Sequence, residues 1–408
     1  MTVGLFLHLA WRNLWRNKRR TLISTSSVLF AVFLSLAMRS MQNGQYDYMI
    51  QSAVGMYLGY IQVHADKYWE KRSLDQTMMV SDSGLASFAA VSRVTEVVPR
   101  LESFALLSKD SATKVAQVVG IDPPRENAMT GLAKRIESGR YLLPADQGIM
   151  LGAGLAKFLN AGIGDSIVIY GQGYHGVTAA ARVPITGILK FPLPALDNST
   201  SYLSLTYAQW LFSAPGRATS VAFMIRSPSD MDNVQAELKL KAGRGTEVMN
   251  WKEMMPELVQ AIQADSAGGV LMLIILYVVI GFGIFGTIMM MTTERTREFA
   301  VLISVGMKRW KLIVVTTTET IIVSMIGALA GVAVGIPILV YFHLHPIPLS
   351  GEYAEVMLSY GMEPFLPFSA APGIFLAQTA IVLGLAVVCA FYPYLVIRKL
   401  NPVAGLRS

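Results

Sequence analysis

Residues 292–310 read TTERTREFAVLISVGMKRW, and what flanks them decides the fold. An apolar run from Val270 to Met291 precedes them, and a second from Leu312 to Phe342 follows. On a helix, Phe299, Leu302, Ile303, Gly306, Met307 and Trp310 fall at i, i+3, i+4, i+7, i+8 and i+11, which is one apolar stripe. Arg295, Arg297, Glu298, Lys308 and Arg309 lie mostly off that stripe. The spacing predicts a short amphipathic helix along the bilayer surface between two membrane spans, with its charged face in water. A solvated basic loop is the plainer alternative, and the regularity of the stripe argues against it. A helix so placed is where another protein can push.

Working outward, the whole chain of 408 residues is 53% hydrophobic and 15% charged, with a mean hydropathy of +0.46. That is too apolar for an ordinary soluble protein and too polar for a bundle held wholly in lipid. A membrane protein with a large water-facing part fits both. The net charge of +7 does not point to nucleic acid, because the cations are clustered. Arg12, Arg16, Lys18, Arg19 and Arg20 precede the first apolar run, Arg295, Arg297, Lys308, Arg309 and Lys311 join the second and third, and Arg398, Lys399 and Arg407 follow the fourth. The connection from His343 to Ala371 has no Lys or Arg and carries Glu352, Glu355 and Glu363. The positive-inside rule then puts both chain ends and the 292–310 segment on the cytoplasmic side of a multi-pass membrane protein in contact with membrane lipid. The only cysteine, Cys389, falls in the last apolar run, so no disulfide is expected in the outer part.

These readings predict an α-helical membrane protein of four transmembrane helices with a large two-lobed extracytoplasmic α+β domain inserted between helices one and two. In order, the expected segments are a cytoplasmic interfacial amphipathic helix (1–20), a first span (21–45), the outer domain (46–268), a second span (269–292), a cytoplasmic helix (293–311), a third span (312–342), an outer loop (343–371), a fourth span (372–397) and a cytoplasmic tail (398–408). A cleaved signal peptide is the rival for the first span, since Ser35-Leu36-Ala37 resembles a cleavage site, but the basic region ahead of it is unusually long. In the outer domain, strand-like runs are 57–64, 95–101, 113–120, 165–170, 183–189, 219–225 and 247–251, and helical runs are 84–91, 152–159, 206–212 and 230–240. Two β-α-β pieces, 57–101 and 219–251, flank a mainly β insertion.

Candidate sites are few. Small residues at four-residue spacing mark helix-packing faces in lipid: Ser27, Ala31 and Ser35 in the first span and Gly327, Gly331 and Gly335 in the third, while the second span contains Gly281, Gly283 and Gly286. Leu312–Phe342 exceeds a ~30 Å core at ~1.5 Å per residue, so it is expected to protrude or bend, with Pro337 the place for a bend. Glu319 lies about two turns into the third span, with no ionisable partner evident inside any span; a helix-gluing role is the simpler reading and a proton relay the other. Gly171, Gly173, Tyr174 and Gly176 lie between two strand-like runs and read as a hairpin turn, a mobile and exposed arm on which another protein could dock. No Gly-Lys-Ser/Thr phosphate loop, HExxH, CxxC or Ser/His/Asp set is present, so no catalytic residue and no metal ligand is assigned.

The chain resembles the MacB/FtsX-like permease family, and within it the lipoprotein-releasing LolC/LolE branch. The residues that carry this are Trp11-Arg-Asn-Leu-Trp-Arg-Asn-Lys-Arg-Arg20, Glu294-Arg-Thr-Arg-Glu-Phe-Ala-Val-Leu-Ile-Ser-Val-Gly-Met307, the glycine ridge of the third span, and Tyr392-Pro with Leu400-Asn-Pro-Val-Ala-Gly-Leu406. The resemblance implies an ABC transporter permease of the bacterial inner membrane, with a periplasmic outer domain and without an ATPase of its own. Two such chains, identical or paralogous, would pair and two ATPase chains would dock below, binding ATP and magnesium that this chain does not hold. The segment carrying Glu294, Arg295, Arg297, Glu298, Phe299, Leu302, Gly306 and Met307 would be the coupling helix, and the outer domain would act as a lever. The 171–183 hairpin lies where the lipoprotein-releasing branch recruits a soluble carrier, although it looks shorter. MacB-like efflux of peptides or drugs and FtsX-like control of a cell-wall hydrolase are the alternatives. MacB-like proteins fuse the ATPase to the permease and FtsX has a smaller outer domain. Four spans with one intramembrane carboxylate disfavour a secondary transporter.

Overall fold

The computed structural model describes residues 11–12, 14–15, 18–359 and 364–401. Most of the interfacial helix expected over residues 3–17, and the tail beyond 401, lie outside the described residues. The chain divides into two compact units, one of residues 1–47, 262–348 and 366–408, the other of residues 48–261 and 349–365.

The first unit is helical. It contains α1 (Lys18–Ala53, whose residues from 48 on belong to the second unit), α2 (Pro256–Glu294, which enters at Ile262), α3 (Thr296–Ser304), α4 (Arg309–Leu344), α5 (Pro372–Cys389) and α6 (Phe391–Lys399). Four helical stretches are long and apolar enough to cross a membrane: Thr21–Leu58, Pro256–Glu294, Arg309–Leu344 and Pro372–Lys399. The first two outrun the 21–45 and 269–292 expected, because spans were sized to the ~30 Å hydrocarbon layer and nothing in the sequence stops the helices at its edge. The fourth stretch breaks at Ala390. Pro393 has no N–H for the carbonyl of Cys389 and its ring crowds that carbonyl, so α5 ends there and α6 begins. Pro337, by contrast, is accommodated inside α4.

α1 and α4 fit closely. A Cβ on Gly327 would lie 2.7 Å from the Thr25 carbonyl and from Val28, one on Gly331 would lie 2.9 Å from the Leu29 carbonyl and from Val32, and one on Gly335 would lie 3.2 Å from Leu36. Residue numbers rise together along both helices, so they run parallel. The knobs filling the ridge are Val28, Val32 and Leu36, one position on from the predicted Ser27, Ala31 and Ser35. Of those three, Ala31 and Ser35 are also buried, and the hydroxyls of Ser27 and Ser35 bond to carbonyls of their own helix. Gly281, Gly283 and Gly286 differ: a Cβ on any of them would meet nothing within 4 Å. The inward row of α2 is Ile280, Ile284 and Ile288, and these glycines stand off it, so within this chain they are not a packing face.

The second unit is built on ten strands: β1 (Ile61–Ala65), β2 (Val94–Lys109), β3 (Ala112–Ile121), β4 (Ile136–Gly139), β5 (Ile149–Gly152), β6 (Ser166–Gln172), β7 (Thr178–Leu189), β8 (Thr200–Ser204), β9 (Ser220–Ile225) and β10 (Thr246–Asn250). Their order is β10-β1-β9-β2-β3-β8-β5-β7-β4, and β6 pairs with both β2 and β7. Six strands, β2-β3-β8-β5-β7-β6, therefore close on themselves, which leaves no open edge in that ring. Alternate side chains, such as Leu101, Ala105 and Leu107 of β2, Ile167 and Ile169 of β6 and Val183 and Ile185 of β7, fill the ring. The first half of β2 turns from this ring to pair with β9. There Ile61, Val63, Val221 and Phe223 pack with Val234 and Leu238 of the helix Met231–Ala242.

One charged pair is sunk in this unit. Arg100, in β2, is wholly buried, and its guanidinium donates to both carboxylate oxygens of Glu126 at 2.8 and 2.7 Å and to the Tyr57 carbonyl. Tyr57 belongs to the π-helical turn Val54–Leu58 that ends the first long helix.

Candidate functional site

The short helix α3 is the centre of the site. α2 ends at Glu294, the single residue Arg295 leaves the helical region (φ −99°, ψ 5°), and α3 begins at Thr296. It stops after nine residues for a local reason. Gly306 N–H donates to the Ile303 carbonyl and Met307 N–H to the Leu302 carbonyl, each at 3.0 Å, with Gly306 at φ +101°. That is a Schellman cap, which needs a residue free to take positive φ. Lys308 is extended and α4 starts at Arg309. The stripe read along 299–310 is thereby corrected. Gly306 and Trp310 lie beyond α3, and Leu302 is exposed, because the left-handed glycine ends the 3.6-residue period that the sequence pattern carries through.

What α3 does bury is definite. Phe299, only 1% exposed, packs on Leu312 at the start of α4 and Ile397 near the end of α6, with Ile303 and Met307 beside it. The Arg309 guanidinium bridges the same two elements, donating to the carbonyls of Arg398 and Leu400 at 2.8 and 2.9 Å. Load on α3 therefore bears on α4 and α6 together.

Arg295 is not on the water face. Its guanidinium forms an ion pair with the Glu319 carboxylate of α4, with the two side chains 12% and 8% exposed, and its Nε also donates to Glu298 at 3.2 Å. The sequence pattern gives Glu319 no partner and places Arg295 on the charged, water-facing side. Both expectations are overturned, because Arg295 precedes the first turn of α3 and is free of the helix's polar face. A lone charge at the bilayer centre costs about 3 kcal/mol, and the guanidinium offsets that. The hydroxyls of Thr316 and Thr320 are satisfied within α4 by the carbonyls four residues back. Arg297 and Glu298 of α3, and Glu294 at the end of α2, remain exposed. One signal could have revealed the pair: a single intramembrane carboxylate calls for a cation, and cations cluster only where the spans end.

The hairpin predicted at 171–183 exists, since β6 and β7 pair from Ser166 with Pro184 to Gln172 with Thr178. It is not a free arm. The Tyr174 N–H donates to the Phe212 carbonyl at 2.8 Å, the His175 N–H to Asp75 at 2.9 Å, and the Arg217 guanidinium lies 4.4 Å from the Tyr174 ring. Gly173 passes so near Phe212 that a Cβ would sit 2.7 Å from its carbonyl oxygen, while Gly171 lies against Ala105. The turn at Gly176 has positive φ. Contacts remote in sequence hold this tip, which a glycine-rich pattern cannot reveal.

The chain's resemblances follow this layout. The family model described as MacB-like periplasmic core domain matches residues 21–241, over half of the chain, and the FtsX-like permease C-terminal model matches residues 270–402. The lipoprotein-releasing system transmembrane protein LolC of Neisseria meningitidis is 23% identical over 331 residues, covering 77% of this chain and 78% of that protein. The macrolide export ATP-binding/permease protein MacB of Agrobacterium fabrum is 20% identical over 98% of this chain and 60% of its own length. Among solved structures, the periplasmic region of MacB from Actinobacillus actinomycetemcomitans aligns with 51% of this chain and 94% of its own at 16% identity, with a TM-score of 0.36.

Proposed function

This chain belongs to the MacB/FtsX-like family of ABC transporter permeases, and from that premise we propose that it releases lipoproteins from the inner membrane, driven by a separate ATPase. In this reading α3 is the coupling helix on the cytoplasmic side. Arg297, Glu298 and Glu294 meet the ATPase, and closure on ATP drives α3 against α4 and α6. The outer domain, the second unit, is the two-lobed lever that the movement reaches. Two ATPase copies and a second permease chain, either another copy or a paralogue, complete the assembly. The unfilled sides of Gly281 and Gly286 on α2 suit that second chain. A periplasmic carrier receives the lipoprotein, and it docks elsewhere than on the fastened 171–183 turn.

The single observation that carries the coupling role is Phe299, lodged between two spans in a nine-residue helix whose first turn exposes Arg297 and Glu298. The alignment with LolC over 77% of the chain supports the choice of substrate. The energetics require a motor, since lifting an acyl chain of ~15 methylenes from lipid costs about 12 kcal/mol at ~0.8 kcal/mol per CH₂.

The test is to purify the chain from its native membrane with its ATPase and reconstitute it with a triacylated lipoprotein in vesicles. ATP-dependent release of the lipoprotein is expected. ATP-driven export of a macrolide or peptide without lipoprotein release would instead support MacB-like efflux, which the alignment across 98% of the chain favours as second reading. Co-purification of a cell-wall hydrolase would point to FtsX-like signalling.

A further inference from the structure

We infer that Arg295 and Glu319 are positioning residues for coupling: their buried ion pair fixes the tilt of α3 on α4, so that a push on α3 turns α4 instead of swivelling the short helix in place. This rests on the coupling role proposed above and adds the link through which the push passes.

A helix of nine residues has too few hydrogen bonds to hold its own conformation or direction. α3 is joined to α2 through one non-helical residue and to α4 through a capping turn at Gly306. Both joints are hinges, so side-chain anchors decide its orientation. There are two. Phe299 packs on Leu312, and Arg295 pairs with Glu319. Leu312 and Glu319 stand seven residues apart on α4, on one face and about 10 Å along the axis. One anchor would leave α3 free to pivot about it, and two anchors two turns apart do not.

The anchors also differ in kind. Apolar packing at Phe299 resists separation but is not directional. A guanidinium–carboxylate pair with little water around it is directional and short-ranged. Arg295 belongs to both, since its guanidinium carbon lies 5.4 Å from the centre of the Phe299 ring. The bland alternative is that the pair only neutralises a carboxylate in lipid. It predicts that any change leaving no buried lone charge is harmless.

The experiment uses the full complex with its ATPase in vesicles of phosphatidylethanolamine and phosphatidylglycerol. One readout is release of a fluorescent triacylated lipopeptide per ATP hydrolysed. The other is the ATP-induced mobility change of a spin label at Met325→Cys, an exposed position on α4, in a Cys389→Ser background. Arg295→Gln and Glu319→Gln are expected to keep ATP hydrolysis within twofold, to lower lipopeptide released per ATP at least tenfold, and to abolish the label's response. The exchanged pair, Arg295→Glu with Glu319→Arg, is expected to restore both. Arg295→Met with Glu319→Leu removes the pair without stranding a charge, so it guards against variants that fail to assemble. It is expected to assemble and stay uncoupled. A wild-type label response in that double variant, or in either glutamine variant, overturns the inference. If the unaltered complex moves the label on ATP but releases no lipopeptide, the lipoprotein reading fails and this inference stands.

Discussion

At the scale of single residues, the second unit holds a histidine and an ion pair whose burial makes them sensitive reporters. His64 in β1 is fully buried, its Nε2 lies 2.8 Å from Gln62 Oε1, and its Nδ1 has no partner among the described residues. Burial, then the nearby Arg72 charge, lowers its pKa from 6.5 to about 3. The unfolded chain therefore binds a proton below pH 6.5 that the folded chain refuses, so stability falls as pH drops from 6.5 toward 3, by about 1.4 kcal/mol per unit. We expect the apparent Tm of the purified protein to drop between pH 7 and 5, and to drop less in His64→Gln. Equal slopes would refute that origin. Arg100 and Glu126 are the other case. Arg100→Met strands a buried carboxylate, so a loss of about 3–5 kcal/mol is expected in denaturant midpoints, with most of it recovered on adding Glu126→Leu.

At the scale of elements, the two glycine rows make opposite predictions from similar sequence. Gly331→Leu forces a side chain into the Leu29 carbonyl and Val32, so α1 and α4 must separate and thermal stability in detergent falls sharply. Gly286→Ala meets open space and gains about 1 kcal/mol of helix propensity, so the isolated chain should be no less stable. Phe299→Ala empties the seat of α3 at a local cost of about 3–5 kcal/mol. Its expected signature is ATP hydrolysis that continues with little lipopeptide release, read in the same vesicles. The spacing already separates them in part, since Gly327, Gly331 and Gly335 stand four apart and Gly281, Gly283 and Gly286 do not. The small-xxx-small pattern marks helices that can approach closely, and only the facing residues say which ones do. The missed strands have a similar cause. Ile149–Gly152 is too short to show a period, and Thr200–Ser204 is buried along its whole length, so its polar residues never alternate with apolar ones.

At the scale of the whole molecule, the closed ring of six strands leaves β10 and β4 at the ends of the sheet. Hydrogen exchange of the full chain should begin at those two strands and come last to β2 and β6, whose backbones are paired on both sides. By itself the sequence determined the four apolar stretches, the α+β segment between the first two, and the short charged helix between the second and third. Each of these is a matter of hydrophobic period and length, which are properties of neighbours along the chain. The tertiary structure alone decided that Arg295 turns inward to Glu319, that Phe299 seats on α6 as well as α4, that the 171–183 turn is tied down, and that one glycine row is packed and the other bare. Those outcomes join residues from 13 to about 300 positions apart. No local pattern encodes such partners, because burial energy depends on which surfaces meet and not on their order in the chain.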